Sequence, residues 1–344
     1  MALNGSAPDA NPASSPSSRH QVSATLLVVA VVIAAAVGIG ATGAYFELRP
    51  GPSAPGSVHV TDDLGRSVTV PYDPSRVVVL GPSIMDSVYR LGLRSHVVGV
   101  DCYAADLGGL SADYSSDQIA LWNLSSSMCV EIGPTFNFED LLNATPQLVL
   151  AATIVSTADV EQISAQYGIP AVVLQASSLG GIQVDLNILS QIFPVSAEVT
   201  ALNARLAAEL YNASQVVNNA PSFPLVLVTY DADSNGYWTF GPGTFGESLI
   251  EAAGATSISA NATFAYPELS PEQVLSANPQ WIIYGTGFGL NLSYYAAAPL
   301  WSSFPAVQAG NITGLDSNWL TEADPAMILQ GLPALIAIFH PGLS

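Results

Sequence analysis

The sequence contains one strand–helix pattern twice, and this repetition limits the fold more than any other feature. In the first half, a predicted helix carries Glu139, ends before Pro146 and leads into the apolar strand QLVLA. In the second half, a predicted helix carries Glu272, ends before Pro279 and leads into QWIIY at the same spacing. Alternating strands and helices are typical of parallel sheets with helical crossovers. The repetition therefore predicts an α/β protein with two similar lobes.

A long helix is predicted between the two halves. Residues 196–219 contain neither Gly nor Pro, and their apolar residues recur at helical spacing. These apolar residues are Val199, Leu202, Leu206, Leu210, Ala213 and Val217. At about 1.5 Å per residue, the helix is on the order of 36 Å long and could span both lobes. We predict a first lobe at 58–180, a linking helix at 181–220 and a second lobe at 221–344.

An uncharged apolar stretch at 23–46 is long enough to cross about 30 Å of hydrocarbon as a helix. We predict an uncleaved transmembrane anchor with its N-terminus inside, because basic residues precede it and Glu47 follows it. A cleaved signal peptide is the alternative. Residues 1–22 are predicted to be a disordered tail and residues 47–57 a Pro/Gly-rich linker. Everything after the linker is then expected to be extracellular.

Charge composition excludes some classes of function. The formal net charge is -20, and the seven basic residues are all arginine, the last of them at Arg205. Such a chain would repel phosphate backbones, so we expect no nucleic-acid partner. Any pocket wall built from the last third of the sequence also has no arginine or lysine. With 49% hydrophobic and 10% charged residues, the chain is expected to fold rather than remain disordered.

Two further features fit an oxidising compartment. Cys102 and Cys129 are predicted to form a disulfide, the alternative being two buried thiols. Asn-x-Ser/Thr sequons are candidate glycosylation sites. They lie at Asn123, Asn143, Asn212, Asn261, Asn291 and Asn311.

Three segments carry a family resemblance. The opening VTDDLGRSVTVPYDPSRVVVLGPSIMDSVYRLGLRSHVVGV, the later YPELSPEQVLSANPQWIIY and the segment LDSNWLTEADPAMIL follow one another in order. Together they resemble the cobalamin- and ferric-siderophore-binding subunits of ABC importers, over roughly residues 58–340. The resemblance implies a monomeric clamp rather than an enzyme, with no cofactor and with an ABC permease and its ATPase as partners.

The resemblance also implies a ligand site between the lobes, on loops that follow strands. The matching positions are Pro82, Ser83, Tyr103, Tyr237, Trp238, Asn318 and Trp319, and Trp122 is a further candidate. Aromatic side chains suit a large, flat, partly apolar chelate. The alternative for each aromatic residue is that it fills a lobe core.

The resemblance further implies an acidic residue on the tip of each lobe that docks on permease arginines. Glu139 and Glu247 match by position, although the helix dipole also favours glutamate near a helix start. Because the second lobe lacks arginine, we expect a corrinoid, a hydroxamate-type chelate or another weakly charged complex rather than an anionic catecholate. Residues 131–138 lack the Gly-Gly turn that often occurs there in the family.

Other functions have weaker sequence support. GPGTFG matches the dinucleotide-binding pattern, but Pro242 removes a backbone donor and Glu247 would face the pyrophosphate. A site for a bare metal ion would have to use His59, His96 or His340, which are scattered along the sequence. The sequence contains no G-x-S-x-G nucleophile elbow before a predicted helix, so a hydrolase is disfavoured. An adhesion role fits the anchor and the sequons but does not explain two lobes.

Overall fold

The computed structural model describes most of the chain that follows the predicted linker. The described residues are 56–102, 128–132, 136–287 and 289–343. The predicted tail (1–22), the predicted anchor (23–46), nearly all of the predicted linker, Tyr103, Trp122 and Asn123 lie outside them. Within the described residues, no helix is both long enough and apolar enough to cross a membrane.

The first lobe contains a five-stranded parallel sheet, preceded by an antiparallel hairpin. The hairpin is β1 (Ser57–Thr61) and β2 (Ser67–Pro71). The sheet contains β3 (Val77–Leu80), β4 (Val97–Asp101), β5 (Cys129–Val130), β6 (Leu148–Ala151) and β7 (Ala171–Val173), in the order β5-β4-β3-β6-β7. The helices are α1 (Pro82–Arg90), α2 (Phe138–Asn143) and α3 (Thr157–Tyr167), with a short 3₁₀ turn at Leu93–His96. All residues of β3 and β6 are buried, as expected where helices cover both faces of a parallel sheet.

Two helices, not one, occupy the segment assigned to the linking helix. They are α4 (Leu179–Ile192) and α5 (Ser196–Asn218). The single linking helix over 181–220 is therefore wrong. Pro194 lies between them, and Phe193 before it is extended, because the proline ring disfavours helical geometry at the preceding residue.

The second of these helices, α5, matches the predicted helix of 196–219 to within one residue. Its buried side chains are the six apolar residues singled out in the sequence. They pack against α4 on one side and against helices of the second lobe on the other. One continuous hydrophobic core consequently runs from the first sheet, through α4 and α5, to the second sheet.

The second lobe contains a six-stranded mixed sheet in the order β11-β9-β8-β12-β13, with β10 beside β8. Its strands are β8 (Leu225–Ala232), β9 (Tyr237–Thr239), β10 (Thr256–Ser257), β11 (Glu268–Leu269), β12 (Trp281–Thr286) and β13 (Ile312–Asp316). Its helices are α6 (Phe245–Ala252), α7 (Pro271–Ala277), α8 (Leu292–Ala296), α9 (Pro305–Gln308), α10 (Ser317–Thr321) and α11 (Leu332–Phe339). A 3₁₀ turn at Trp301–Ser303 and a π-helical turn at Met327–Gly331 complete the lobe.

The two sheets are related but not identical. β8, β12 and β13 are parallel, like the strands of the first sheet, whereas β9 and β11 add an antiparallel edge. The structure thus has the predicted α/β class with two sheets, and the second lobe differs from the first by this edge. In the first lobe, a disulfide joins Cys102 to Cys129, linking the end of β4 to the start of β5.

Candidate functional site

A cleft of about 450 Å³ lies between the two lobes. Its first wall comes from segments that follow β3, β6 and β7, namely residues 82–83, 152–154 and 174–177. The facing side comes from the end of β8, the start of α6, the loop before β11 and residues 321–323. Ligand sites in open α/β sheets form outside the carboxyl ends of the strands, and this cleft has that position.

The first wall is built mostly from small and polar residues, with Ile154 and Leu174 as its larger apolar members. Ser83, Thr153 and Gln175 contribute hydroxyl and amide groups to it. Gly81 precedes α1 with a φ of 144°, and a Cβ there would lie 2.4 Å from the Ala152 side chain. Only glycine allows the start of α1 to approach the loop after β6 this closely. The resulting wall is tight and carries no aromatic ring among its described residues.

The opposite wall is aromatic. We call Tyr230, Phe240, Phe245 and Tyr266 the aromatic wall, because all four line the cleft. Neighbouring ring centroids are separated by 4.9 Å for Tyr230 and Phe240, 5.8 Å for Phe240 and Phe245, and 6.4 Å for Phe245 and Tyr266. These separations lie in the range in which aromatic rings attract one another. The wall offers a large apolar surface with two phenolic hydroxyls.

The glycines of GPGTFG hold the aromatic wall in place. A Cβ on Gly246 would lie 2.2 Å from the ring of Phe240, so glycine lets this ring rest on α6. The backbone N–H of Gly241 donates to the carbonyl of Ala265 at 2.7 Å, which fixes the loop that carries Tyr266. Packing therefore accounts for the motif that resembles a dinucleotide-binding turn.

Glu322 is the acidic residue of the cleft. It follows α10, and its carboxylate accepts hydrogen bonds from the backbone N–H and the hydroxyl of Ser83 in the first lobe. Burial, followed by the nearby Asp101 carboxylate, raises the pKa of Glu322 to about 7. Burial also raises the pKa of Tyr230 to about 12, and burial together with Glu322 raises the pKa of Tyr266. Both phenols are consequently neutral at physiological pH.

More carboxyl groups lie behind the cleft, where the lobes meet. Asp86 of α1 pairs with Arg90 at 2.6 Å and accepts a hydrogen bond from the backbone of the second lobe at Ala326. Asp324 is 1% exposed, accepts from the Met327 N–H at 3.0 Å, and has a pKa raised by burial and then by Asp86. We call Asp86, Asp101, Glu322 and Asp324 the carboxyl cluster. Burial raises the pKa of Asp86, Glu322 and Asp324, so these three groups hold their protons to higher pH than exposed carboxyls do.

Of the predicted ligand contacts, Pro82 and Ser83 line the cleft. Tyr237 does not, because it is fully buried in the second lobe, where its hydroxyl donates to the Pro299 carbonyl at 2.8 Å. Tyr237 therefore fills the core of its lobe, which was the alternative interpretation of this residue. Trp238 is half-buried on β9 opposite Glu268.

The predicted contacts near the end of the chain lie beside the cleft rather than in its lining. Asn318 is 2% exposed and bonds to the side chain of Asp316. Trp319 packs against Gly331, where a Cβ would lie 2.7 Å from the Trp319 carbonyl oxygen. The contribution of this segment to the lining starts two residues later, at Thr321.

The two predicted docking glutamates have different surroundings. Glu139 is exposed in the first turn of α2, where its N–H donates to the Asn137 side chain at 3.0 Å. Glu247 is only 6% exposed, and burial raises the pKa of its carboxyl group to about 7. An exposed tip at Glu247 is therefore wrong, because the first turn of α6 packs inward beneath Phe240.

The predicted glycosylation sites also differ in exposure. The side chains of Asn143, Asn212 and Asn261 are exposed. Asn291 accepts a hydrogen bond from the Tyr294 N–H at 3.1 Å as the cap of α8. Asn311 donates to the Gln280 carbonyl at 3.2 Å and is half-buried. Asn291 is exposed as well, so Asn311 is the one half-buried position among those that the structure describes.

Comparison with known proteins agrees with this geometry. Residues 77–319 match a family model described as periplasmic binding protein. The cobalamin-binding protein of Halobacterium salinarum is 26% identical over 333 residues, which cover 92% of this chain and 84% of that protein. The vitamin B12-binding protein of Pectobacterium atrosepticum is 25% identical over 260 residues, which cover 74% of this chain and 85% of that protein.

Solved structures share the fold. The molybdate-binding periplasmic protein of Haemophilus influenzae has a TM-score of 0.70 at 18% identity, covering 83% of this chain and 92% of its own. The vitamin B12-binding protein of Vibrio cholerae has a TM-score of 0.63 at 20% identity, covering 78% of this chain and 98% of its own. The chain therefore belongs to the periplasmic binding protein family, the substrate-binding proteins of transporters, and it is not an enzyme.

Proposed function

We propose that this protein captures a corrinoid or a weakly charged ferric chelate of hydroxamate type in its cleft and delivers it to an ABC permease. One observation carries the proposal: a four-ring aromatic wall faces a wall of mostly small and polar residues, and the described lining contains no lysine, arginine or histidine. A large rigid ligand gains affinity from such rings, because they bury apolar area with little loss of side-chain freedom.

The names of the relatives support a corrinoid. The relatives from Halobacterium and Pectobacterium are named for cobalamin and vitamin B12. A corrinoid carries many neutral amide side chains on a broad ring, which suits a cleft with hydroxyl, amide and aromatic groups. Molybdate, which the Haemophilus structure binds, is a small dianion, and the described lining offers it Glu322 and no lysine, arginine or histidine.

Haem is the alternative chelate, because tyrosine can act as an axial ligand to haem iron. Tyr230 and Tyr266 offer phenols, but their raised pKa values disfavour the phenolate that would bind iron. The two propionates of haem would also face Glu322. For a bare metal ion, the described residues contain no group of three or more His, Cys, Asp or Glu side chains that could hold one.

Delivery requires further features that we propose from the sequence. Ligand would bridge the two lobes and favour a closed form that the permease recognises. Glu139, exposed on the first lobe, is the docking residue that remains in this proposal. The apolar stretch at 23–46 would anchor the chain to the membrane and keep the monomeric clamp beside its transporter at high effective concentration.

The proposal is tested by titrating the full-length protein, in detergent, with cyanocobalamin, ferrichrome and haemin. Isothermal titration calorimetry is the measurement, because its heat does not depend on the strong absorbance of these ligands. We expect saturable one-to-one binding of cyanocobalamin or ferrichrome and weaker binding of haemin. Tight haemin binding with no response to the other two chelates would contradict the proposal and favour the alternative.

A further inference from the structure

Glu322 has a distinctive position in the cleft. Among the described lining residues it is the one side chain that ionises near neutral pH, since the two tyrosines have raised pKa values. It lies where the lobes meet, with the aromatic wall on its own side and the start of α1 opposite. A ligand that fills the cleft must therefore lie against this carboxylate.

The first lobe holds this carboxylate in place. Ser83 donates two hydrogen bonds to it, one from its backbone N–H and one from its hydroxyl. An ionised carboxylate has about four acceptor positions, so two bonds leave it able to accept more. Tyr266, whose pKa Glu322 raises, is the neighbour on the aromatic side. Glu322 is thus fixed in direction and retains acceptor capacity towards the cleft.

The carboxyl groups of Asp86, Asp101 and Asp324 lie around Glu322, and no lysine, arginine or histidine is among the described lining residues of the cleft. Asp101 is fully buried at the end of β4 and accepts a hydrogen bond from the Gly81 N–H at 3.0 Å. Asp86 and Asp324 lie behind it, and Arg90 forms its ion pair with Asp86 at 2.6 Å. Burial raises the pKa of Asp86 and of Asp324, so the ionisable carboxyl that faces the cleft itself is Glu322. A negative group on a ligand would meet repulsion, and a donor would be attracted.

We propose that Glu322 selects ligands by charge: it accepts a hydrogen bond from a ligand amide or ammonium group, and it rejects a carboxylate at the same place. The site would then take neutral, amide-rich chelates or cationic chelates and exclude anionic ones of equal shape. This inference rests on the proposed function. The inference adds a specificity-determining residue to the cleft already described and keeps the ligand class of the proposed function.

The test compares two ligands that differ by one charge. Cyanocobalamin and its monocarboxylic acids, in which one propionamide has been hydrolysed, have the same shape, and each acid carries one additional negative charge. We expect the wild-type full-length protein to bind cyanocobalamin at least about tenfold more tightly than at least one of the acids, the size expected of a hydrogen bond to a charged group. Glu322→Gln should bring this ratio close to one. Glu272→Gln, at an exposed position of α7 in the same lobe, is the matched control and should leave it unchanged.

A second measurement needs no variant. Because Glu322 has a pKa of about 7, its negative charge grows between about pH 6 and about pH 8, while a ligand carboxylate stays ionised. The preference for the amide over the acid should therefore increase with pH in the wild-type protein. If the preference for the amide does not change between these pH values, or if it persists in Glu322→Gln, the inference is overturned. The proposed function still stands in that case, provided that cyanocobalamin binds.

A ferric hydroxamate pair covers the other ligand class. Ferrioxamine B carries a free ammonium group, and its N-acetyl derivative is neutral. If cyanocobalamin does not bind, the wild-type protein should prefer ferrioxamine B, and Glu322→Gln should remove that preference. Equal binding of the two hydroxamates overturns the inference alone. Failure of the wild-type protein to bind any of these chelates overturns the proposed function and the inference with it.

Discussion

The two walls of the cleft occupy equivalent places in their lobes but are held by different forces. The first wall depends on carboxyl groups that hold its backbone: Asp63 accepts a hydrogen bond from Gln175, and Asp185 accepts one from the Ala176 N–H at 3.2 Å. The aromatic wall depends on ring packing over glycine. One wall should therefore respond to protons and the other to side-chain volume.

The difference follows from the sheets. In the first lobe, parallel strands end directly at the cleft, so short loops with small residues form the wall. In the second lobe, the antiparallel β9 and β11 add Phe240 and the loop that carries Tyr266 to the ring of Tyr230 on β8. Similar lobes can thus give one wall that orients a ligand and another that supplies most of the apolar contact.

The largest expected effect is on the pH dependence of stability. Burial, followed by Asp63, raises the pKa of Asp185 from 3.8 to about 9. The folded state therefore holds a proton that the unfolded chain releases, so this contribution is fully present in acid and is lost as the pH rises from about 4 to about 9. We expect the free energy of unfolding to fall throughout that range, by about 1.4 kcal/mol for each pH unit that lies between the two pKa values.

Asp185→Asn tests the source of this effect. Its amide can donate to Asp63 as the protonated carboxyl does, but it cannot ionise, so the variant should be less sensitive to alkaline pH. Denaturant unfolding of the full-length protein at a series of pH values is the measurement. Glu161→Gln, exposed on α3 of the same lobe, is the control and should retain the wild-type slope. An unchanged slope in Asp185→Asn would show that another group is responsible.

Ligand affinity should depend most on the aromatic wall. Tyr266 is 46% exposed at its rim, and Tyr266→Ala removes a ring that a ligand would cover. Losing that burial should cost about 1.5 to 3 kcal/mol of binding free energy, or at least about tenfold in Kd. Phe264→Ala is a close control, because Phe264 is 73% exposed two positions earlier and is not among the lining residues. Equal losses in both variants would show that the loop as a whole, and not the Tyr266 ring, makes the contact.

The next largest effect is expected on stability, from the glycine that packs beneath the aromatic wall. Gly246→Ala places a Cβ against the Phe240 ring, and overpacking of this kind costs about 1 to 3 kcal/mol of stability. The displaced ring should also weaken ligand binding. Gly180→Ala in α4 is the control, since its nearest atom is 4.0 Å away. Thermal unfolding should show the control at or slightly above the wild-type stability, because alanine is the better helix former. A Gly246→Ala variant as stable as the wild type would contradict this account of the wall.

Local patterns were enough to predict the framework. The buried face of α5 was predicted residue by residue, because helical periodicity is encoded within the segment itself. Pro82 and Ser83, which the family resemblance implied, also line the cleft, in keeping with the rule that sites form where parallel strands end. The same rule could have identified Tyr230, which lies near the end of β8. Pro194 is itself a sequence signal for the break between α4 and α5, and the prediction of a single helix over 181–220 did not use it.

The remaining lining residues depend on tertiary geometry that the sequence does not encode locally. Successive residues of a strand point to opposite faces of the sheet, so the sequence alone does not say whether Tyr237 faces the cleft or the core. In the structure it faces the core. Phe240 and Tyr266 meet only because a loop folds back over α6. Glu322 lies in a segment that the resemblance had marked, but its place in the cleft depends on the contact with Ser83 across the lobes.

The smallest expected effect tests the first wall directly. Thr153→Ala removes one hydroxyl from a wall whose remaining groups still surround the ligand, so we expect Kd to rise by less than about threefold, consistent with a single neutral hydrogen bond of about 0.5 to 1.5 kcal/mol. The measurement is the same calorimetric titration used for Tyr266→Ala. If Thr153→Ala weakens binding as much as Tyr266→Ala does, the division of roles between the two walls fails, because a polar contact would then supply as much affinity as a ring. If it has almost no effect, orientation by this wall rests on Ser83, Gln175 and the backbone of the loops.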